Sequence, residues 1–425
     1  ASELAKLLVR GHSRDFRRQD LEKHNPEMFA TESLLQQCFW EVEAAAKYPG
    51  CAYPGIVSIS YCWKTRMHPD PSGELGRKIA TYLHWYAAQR AMWTRERLCK
   101  YSDAAGHTWS TEYDFDWEFL VLVDFWALYQ NPRSEEESKS FSSAQNVMHQ
   151  WYGHRGTMVF MVTEVPDEWT EDDSFDDRGG YVNRGWPVFE CAVANLCKPR
   201  GMCLDMAGFG EMLDCAQVWG KEQAGMENFG WRAGQLTGMF CGALLDNLRQ
   251  LAMDDYGGLV TERSCLFWLV DATQQPLRSP ASMEALLQSK SFAESGDLAL
   301  CAAMYGQALA LTFGTQKALD YSHMTHWSEA DFGALAGALA TSENATQLNL
   351  QGCEMRDRGV TALAAGLSGG SLPLLEKLNL KDNSVGRPGL EALAAALQRG
   401  AMPMLRTIVL GESGVVDGEV LAMMS

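Results

Sequence analysis

Three stretches of the chain are apolar at nearly every position. GIVSISY (55–61), EFLVLVDFW (118–126) and RGTMVFMVTEV (155–165) are each short and bounded by polar or turn-forming residues. A continuous apolar run of that length predicts a strand buried on both faces, as in a parallel sheet. Between the runs the spacing changes. PDPSGELGRKIATYLHWYAAQRAMW (69–93) and SKSFSSAQNVMHQWY (138–152) repeat their apolar positions at helical intervals. ALYQNPRSEEES (127–138) reads as a polar loop, and PDEWTEDDSFDDRGG (166–180) as an acidic one. Residues 1–48 read as a helical, charged segment. Buried strands alternating with helices predict an α/β domain with a parallel sheet over 50–200. Residues 201–318 read as mainly helical pieces rich in Gly, Met and Cys that join this domain to the C-terminal part of the chain. Their one strong apolar run, CLFWLV (265–270), reads as a further buried strand.

The last part of the chain repeats itself. LNL stands at 348–350 and again at 378–380, and IVL stands at 408–410, two steps of 30 residues. LDY at 319–321 lies 29 residues before the first. Each unit runs strand, polar turn, then an Ala/Leu helix: DFGALAGAL (331–339), GVTALAAGL (359–367), GLEALAAAL (389–397). A period near 30 in this order is the sign of a leucine-rich solenoid over 319–425. It resembles the ribonuclease-inhibitor type, whose convex element is a true helix. The alternation predicts that Leu348, Leu350, Leu378 and Leu380 face one core, with Leu363, Leu367, Leu393 and Leu397 facing it from the helices. So few units need the preceding domain as a cap.

Composition narrows the partners. The 425 residues are 46% hydrophobic and 21% charged, a globular balance spread over two or three domains. The formal charge is −18 and the isoelectric point about 5.0, which argues against a nucleic-acid backbone or an anionic membrane as main partner. A small anionic ligand held by a few local cations stays open. The 12 cysteines are scattered with no CxxC pair. They read as buried thiols of a reducing compartment rather than disulfide or zinc ligands. The chain's start lacks the order of a secretory signal, and no run of 18 apolar residues predicts a membrane span. A cytoplasmic location is expected, in which the Asn344-Ala-Thr346 sequon stays unused.

SISYCW (58–63), the acid Asp124 closing the second apolar run, and RGWPVFE (184–190) after the third occur in the order seen in TIR domains. Residues 55–200 resemble a TIR-type domain and, more closely, the related heterokaryon-incompatibility (HET) group. The match to the HET form lies in Ser60-Tyr61-Cys62-Trp63 and in Arg184, Trp186 and Glu190. Trp186 and Glu190 have three residues between them, as in both patterns. The resemblance covers about a third of the chain. It implies a flavodoxin-like parallel sheet. Departures are Pro187 after the Trp, the HPDP loop (68–71), and the insert TRERLCKYSDAAGHTWSTEYDFDW (94–117).

Active TIR domains split NAD at the nicotinamide–ribose bond, so the resemblance implies NAD as substrate, no bound cofactor, and Glu190 as the catalytic carboxylate. One acid suits this chemistry, because a pyridinium leaves without protonation and the carboxylate stabilises oxocarbenium character. Ligands of open α/β sheets lie at the carboxyl ends of the strands. There Tyr61, Cys62, Trp63, Lys64, Arg66, Asp124, Trp126, Arg184 and Trp186 would bind substrate, the rings by stacking and Lys64 or Arg66 on the pyrophosphate. Plainer readings stand beside each. Glu190 reads equally as a helix-start acid favoured by the dipole, Asp124 as a cap, and Trp63, Trp126 and Trp186 as packing. No GxGxxG after a strand and no GxxxxGK[ST] occur, which excludes a Rossmann dehydrogenase or P-loop switch and the central ATPase of plant immune receptors. Three functions remain. One is an NAD glycohydrolase in signalling with repeats that bind a protein. Another is an inactive adaptor that self-associates through the TIR-like face. The third is a nucleoside-processing enzyme on a related sheet.

Overall fold

The computed structural model describes residues 1–9, 17–38, 55–64, 68–70, 72–102, 119–154, 156–164, 180–196, 198, 202–209, 276–411 and 415–416, without the side chains of 2, 9, 88, 89, 91–102, 208, 415 and 416. These residues are mixed α/β, about half helical, with two largely parallel sheets. They fall into two compact units. One takes residues from 1–147, 155–182 and 200–270, the other from 148–154, 183–199 and 271–425. The expected domain 50–200 therefore contributes to both. CLFWLV (265–270), Arg66 and most of the 94–117 insert lie outside the described residues.

The first unit is built on four parallel strands, β1 (Ile56–Tyr61), β2 (Leu120–Leu122), β3 (Met158–Val162) and β4 (Cys203–Asp205), in the spatial order β2-β1-β3-β4. β1 pairs with β3 from Val57–Met158 to Tyr61–Val162. Every residue of β1 and β3 is buried, which is why both read as unbroken apolar runs. β2 is different: it is the edge strand and only partly buried. β4 lies past residue 200, in the stretch expected to be helical. On one face, Val57, Ile59, Phe160 and Leu204 meet Ile79, Leu83, Trp85 and Tyr86 of the helix Glu74–Ser102, together with Leu8 of the helix Ser2–Val9. Tyr86 meets Phe119 and Phe160 edge-on, at 5.1 and 5.6 Å. The SEEES stretch is not loop. Ser134 accepts from the Glu137 N–H and the Glu137 carboxylate returns the bond, a capping box that starts the helix Glu135–Asn146. The predicted helix 138–152 is thus two, the second being Met148–Gly153.

The second unit has a helical part and a solenoid. The helices Met148–Gly153, Gly185–Ala194, Pro280–Gln288 and Asp297–Thr315 pack together. Asp297–Thr315 corrects one expectation, because it is long and apolar enough to cross a membrane by length and composition. In the structure Cys301, Met304, Tyr305, Ala308, Leu309, Thr312 and Phe313 are buried at helical spacing, so one face of this helix packs against the chain. The solenoid strands β5 (Ala318–Asp320), β6 (Gln347–Asn349), β7 (Lys377–Asn379) and β8 (Thr407–Val409) pair in parallel and in register, and β9 (Val415–Val416) adds antiparallel. Leu319, Leu348, Leu378 and Ile408 form one buried row. Leu350, Leu380, Leu363, Leu367 and Leu393 are buried as expected, but Leu397 is partly exposed.

Left-handed backbone recurs with the repeat. His323, Gly352 and Asp382 have φ of 62, 66 and 59°, and Leu372 and Met402 have 51 and 50°. Gly352 is needed twice over, since a Cβ there would also sit 2.6 Å from Nδ1 of His323. Asn383 ties adjacent turns. Its Oδ1 accepts from the N–H groups of Cys353 (2.9 Å) and Met355 (3.2 Å), and its Nδ2 donates to the carbonyls of Leu350, Leu380 and Lys381 at 2.6–3.2 Å. Cys353, one turn earlier, donates its thiol to the Tyr321 carbonyl at 3.1 Å.

Candidate functional site

At the carboxyl ends of β1 and β2 several predicted residues do converge. Asp124 opens the short helix Asp124–Ala127 directly after β2. Its carboxylate accepts from the Tyr61 hydroxyl, from Nε1 of Trp63 at 2.8 Å and from the Phe125 N–H at 2.6 Å. Desolvation pushes the Asp124 carboxyl above the usual range, against the pull of those three donors. Phe125 sits at the centre of a ring cluster with Trp63 (5.5 Å), His68 (4.6 Å) and Trp126 (5.9 Å). Cys62 and Trp126 are buried. Trp63 and Trp126 thus have packing partners, and Asp124 holds the β1 loop against the end of β2.

The loop after β1 also fills the place where an anion would bind. Lys64 donates its backbone N–H to the Pro69 carbonyl at 2.9 Å. Asp70 is fully buried and accepts from the N–H groups of Leu75 (3.2 Å) and Gly76 (2.7 Å) at the start of the helix Glu74–Ser102. A free helix start would favour a phosphate; here a carboxylate of the chain itself occupies it.

At the ends of β3 and β4 stands a group that sequence reasoning missed. The Thr163 hydroxyl donates to Asp205, which also accepts from the Ala207 N–H at 3.0 Å. Burial raises the Asp205 carboxyl. Glu164 pairs with Lys78 at 3.5 Å. One residue inside the sheet, the Ser60 and Tyr181 hydroxyls share a 2.6 Å hydrogen bond. The signal was available: Thr163-Glu164 follows the third apolar run at the place Asp124 follows the second. Among the described residues no group of three His, Cys, Asp or Glu is placed to hold a metal.

Arg184, Trp186 and Glu190 belong to the second unit. Arg184 is the N-cap residue of the helix Gly185–Ala194, and its backbone bridges Ser291. Gly185 is required there, because a Cβ would lie 2.0 Å from the Phe292 ring. Trp186 donates Nε1 to Asp297 at 2.9 Å and meets Phe189 edge-on at 5.8 Å. Burial raises the Asp297 carboxyl. Glu190 is the sixth residue of its helix and 5% exposed. The expected place in the first turn is therefore wrong, and so is the plainer reading as a helix-start acid, whose dipole benefit fades beyond that turn. Burial, Asp297 and Glu190 together push the Cys301 thiol up.

The solenoid presents a different kind of surface. Between its buried row, β5–β8 turn Asp320, Asn349, Asn379 and Val409 outward in one line. Asn379 donates Nδ2 to Asn349 Oδ1 at 2.9 Å, and Asn349 donates Nδ2 to Asp320 Oδ1 at 3.0 Å. On the helix side, Asp357 of one turn accepts from Gly386 (2.7 Å) and Gly389 (3.1 Å) at the start of the next helix. Arg399 donates back to the Ala364 carbonyl at 2.8 Å.

A family model described as Leucine Rich repeat matches residues 346–364 and 371–394. No TIR or heterokaryon-incompatibility domain is detected. Comparisons with curated proteins and with solved structures found no match. Leucine-rich repeats generally mediate contacts between proteins.

Proposed function

We propose that the chain is a signalling scaffold that holds a protein partner on the strand face of its repeats. The observation that carries this reading is the in-register array β5–β8, in which the outward Asp320, Asn349 and Asn379 form a hydrogen-bonded polar line beside a continuous buried apolar row. Solenoid faces of this kind are extended docking surfaces. The test is positional. A photoreactive residue placed at Asn379 in the full chain should capture a protein, and one placed at Glu391 on the helix face should not. Equal capture from both positions would defeat the reading.

A second reading keeps the resemblance to TIR and HET domains, with NAD as substrate or with self-association through the same unit. What supports it is the strand order β2-β1-β3-β4, which fits a doubly wound sheet whose switch point falls between β1 and β3. Tyr61 and Trp63 stand on one side of that point and Thr163 and Glu164 on the other. We place it second because no TIR or heterokaryon-incompatibility domain is detected and Trp186 has a hydrogen-bond partner of its own in Asp297. Release of nicotinamide from NAD by the purified chain, lost in Glu190→Gln, would reverse the order.

A further inference from the structure

Residues 346–411, which contain the matched repeats, carry seven Lys or Arg against five Asp or Glu, a net of +2. The whole chain is at −18, so the remainder carries −20. This stretch is close to neutral in an acidic protein, and its cations differ in how they are used. On the helix side three of them are used internally: Arg387 pairs with Glu391 at 2.7 Å, Arg358 with Glu329 at 3.4 Å, and Arg399 bonds carbonyls of the previous turn. On the strand side, Lys377 begins β7 and Lys381 stands four residues on, flanking Asn379. Lys377 is exposed and Lys381 partly so, and neither lies within ion-pair distance of a carboxylate among the described residues. Gln347 and Thr407 stand beside Lys377 in register.

The amides between the lysines keep capacity in reserve. Asn349 spends one Nδ2 hydrogen on Asp320, and its Oδ1 accepts from Asn379 and from the Gln351 N–H at 3.2 Å. Among the described residues Asn379 Oδ1 accepts only the Lys381 N–H, at 3.1 Å. A second hydrogen on Asn349 and a lone pair on Asn379 stay available. One donor and one acceptor side by side suit the main chain of an extended peptide.

We propose that this face docks an extended acidic peptide segment of the partner protein across β6 and β7. Its main chain bonds Asn349 and Asn379, and its carboxylates pair with Lys377 and Lys381. The proposal rests on the docking reading above and adds the chemistry of the partner. A nucleic acid, whose bases also set a donor beside an acceptor, is told apart by the uridylate arm of the test.

The probe is a fluorescein-labelled ten-residue peptide of alternating Glu and Ser, titrated with the full chain by fluorescence polarisation. A Lys–Ser peptide and a decamer of uridylate serve as comparisons. The Glu–Ser peptide should bind, more weakly as salt rises, and tighter than either comparison. Lys377→Glu with Lys381→Glu should weaken it by roughly tenfold or more. Arg358→Glu with Arg387→Glu, on the helix face, should leave it within about twofold, since rim charges away from the contact contribute little. Melting curves of both double variants check that each folds. No binding of the Glu–Ser peptide, an unchanged affinity in the lysine variant, or tighter binding of uridylate would each overturn the proposal. Loss of peptide binding with capture at Asn379 intact would sink the acidic partner alone. Loss of both would sink the docking reading with it.

Discussion

The solenoid and the sheet edge of the first unit both tie loops to strands with side-chain hydrogen bonds, yet they do so at different distances along the chain. In the solenoid the partners are one period apart: Asn379 to Asn349 and Asn383 to Cys353 each span 30 residues. At the sheet edge Tyr61 reaches Asp124 across 63 residues, and in the helical part Trp186 reaches Asp297 across 111. A fixed period turns a local pattern into a contact list. Where separations are arbitrary, the pattern gives the element but not its partner.

That contrast can be broken first in the solenoid. Leu378→Ala removes a fully buried side chain from the row and should cost roughly 2–5 kcal/mol. Asn383→Ala abandons five bonds to buried backbone and should cost on the order of 3 kcal/mol. Asn383→Cys should recover part of the loss, because Cys353 holds the equivalent place one turn earlier. Chemical denaturation measures all three, and a loss near zero for Leu378→Ala would mean that the row is not the core.

In the helical part, Gly185→Ala drives a Cβ into the Phe292 ring and should cost about 1–3 kcal/mol, read from the same denaturation curves. The difference between the regions sharpens here, because no repeat marks Gly185 as special. Legibility in the sequence divides along the same line. The runs 55–61 and 155–165 are legible as continuous apolar stretches, the strand–helix repeats from their period, and the convergence of Tyr61, Trp63 and Asp124 from residues at strand ends. The SEEES capping box is equally local, but three successive acids look like a solvated loop. Glu190 was misplaced for another reason. Four residues after Trp186 in RGWPVFE fixes the helix face but not the wall it meets, and that wall comes from residues near 297–301, more than a hundred positions later.

The smallest expected effect is a slope with pH. The Asp124 carboxyl is raised by desolvation, so the folded state keeps its proton longer than the unfolded chain does. Stability from this group is greatest below its ordinary value of about 4 and falls as pH rises through the raised value. Asp205 and Asp297 act in the same direction. Asp124→Asn should therefore make the decline of the denaturation midpoint above about pH 4 shallower without abolishing it. An unchanged slope would show that the three donors to Asp124 fully offset its desolvation.

The most direct measurement compares wild type and Glu190→Gln for nicotinamide release from NAD, with Glu190→Ala melted alongside. If Glu190 is part of a packed helical wall, the Gln variant releases as much nicotinamide as wild type, whatever that amount is. The Ala variant, which empties a buried site, then melts several degrees lower, the consequence of roughly 1–3 kcal/mol. Wild-type release that disappears in Glu190→Gln, together with an unshifted melt of Glu190→Ala, would contradict the account and make Glu190 the catalytic carboxylate.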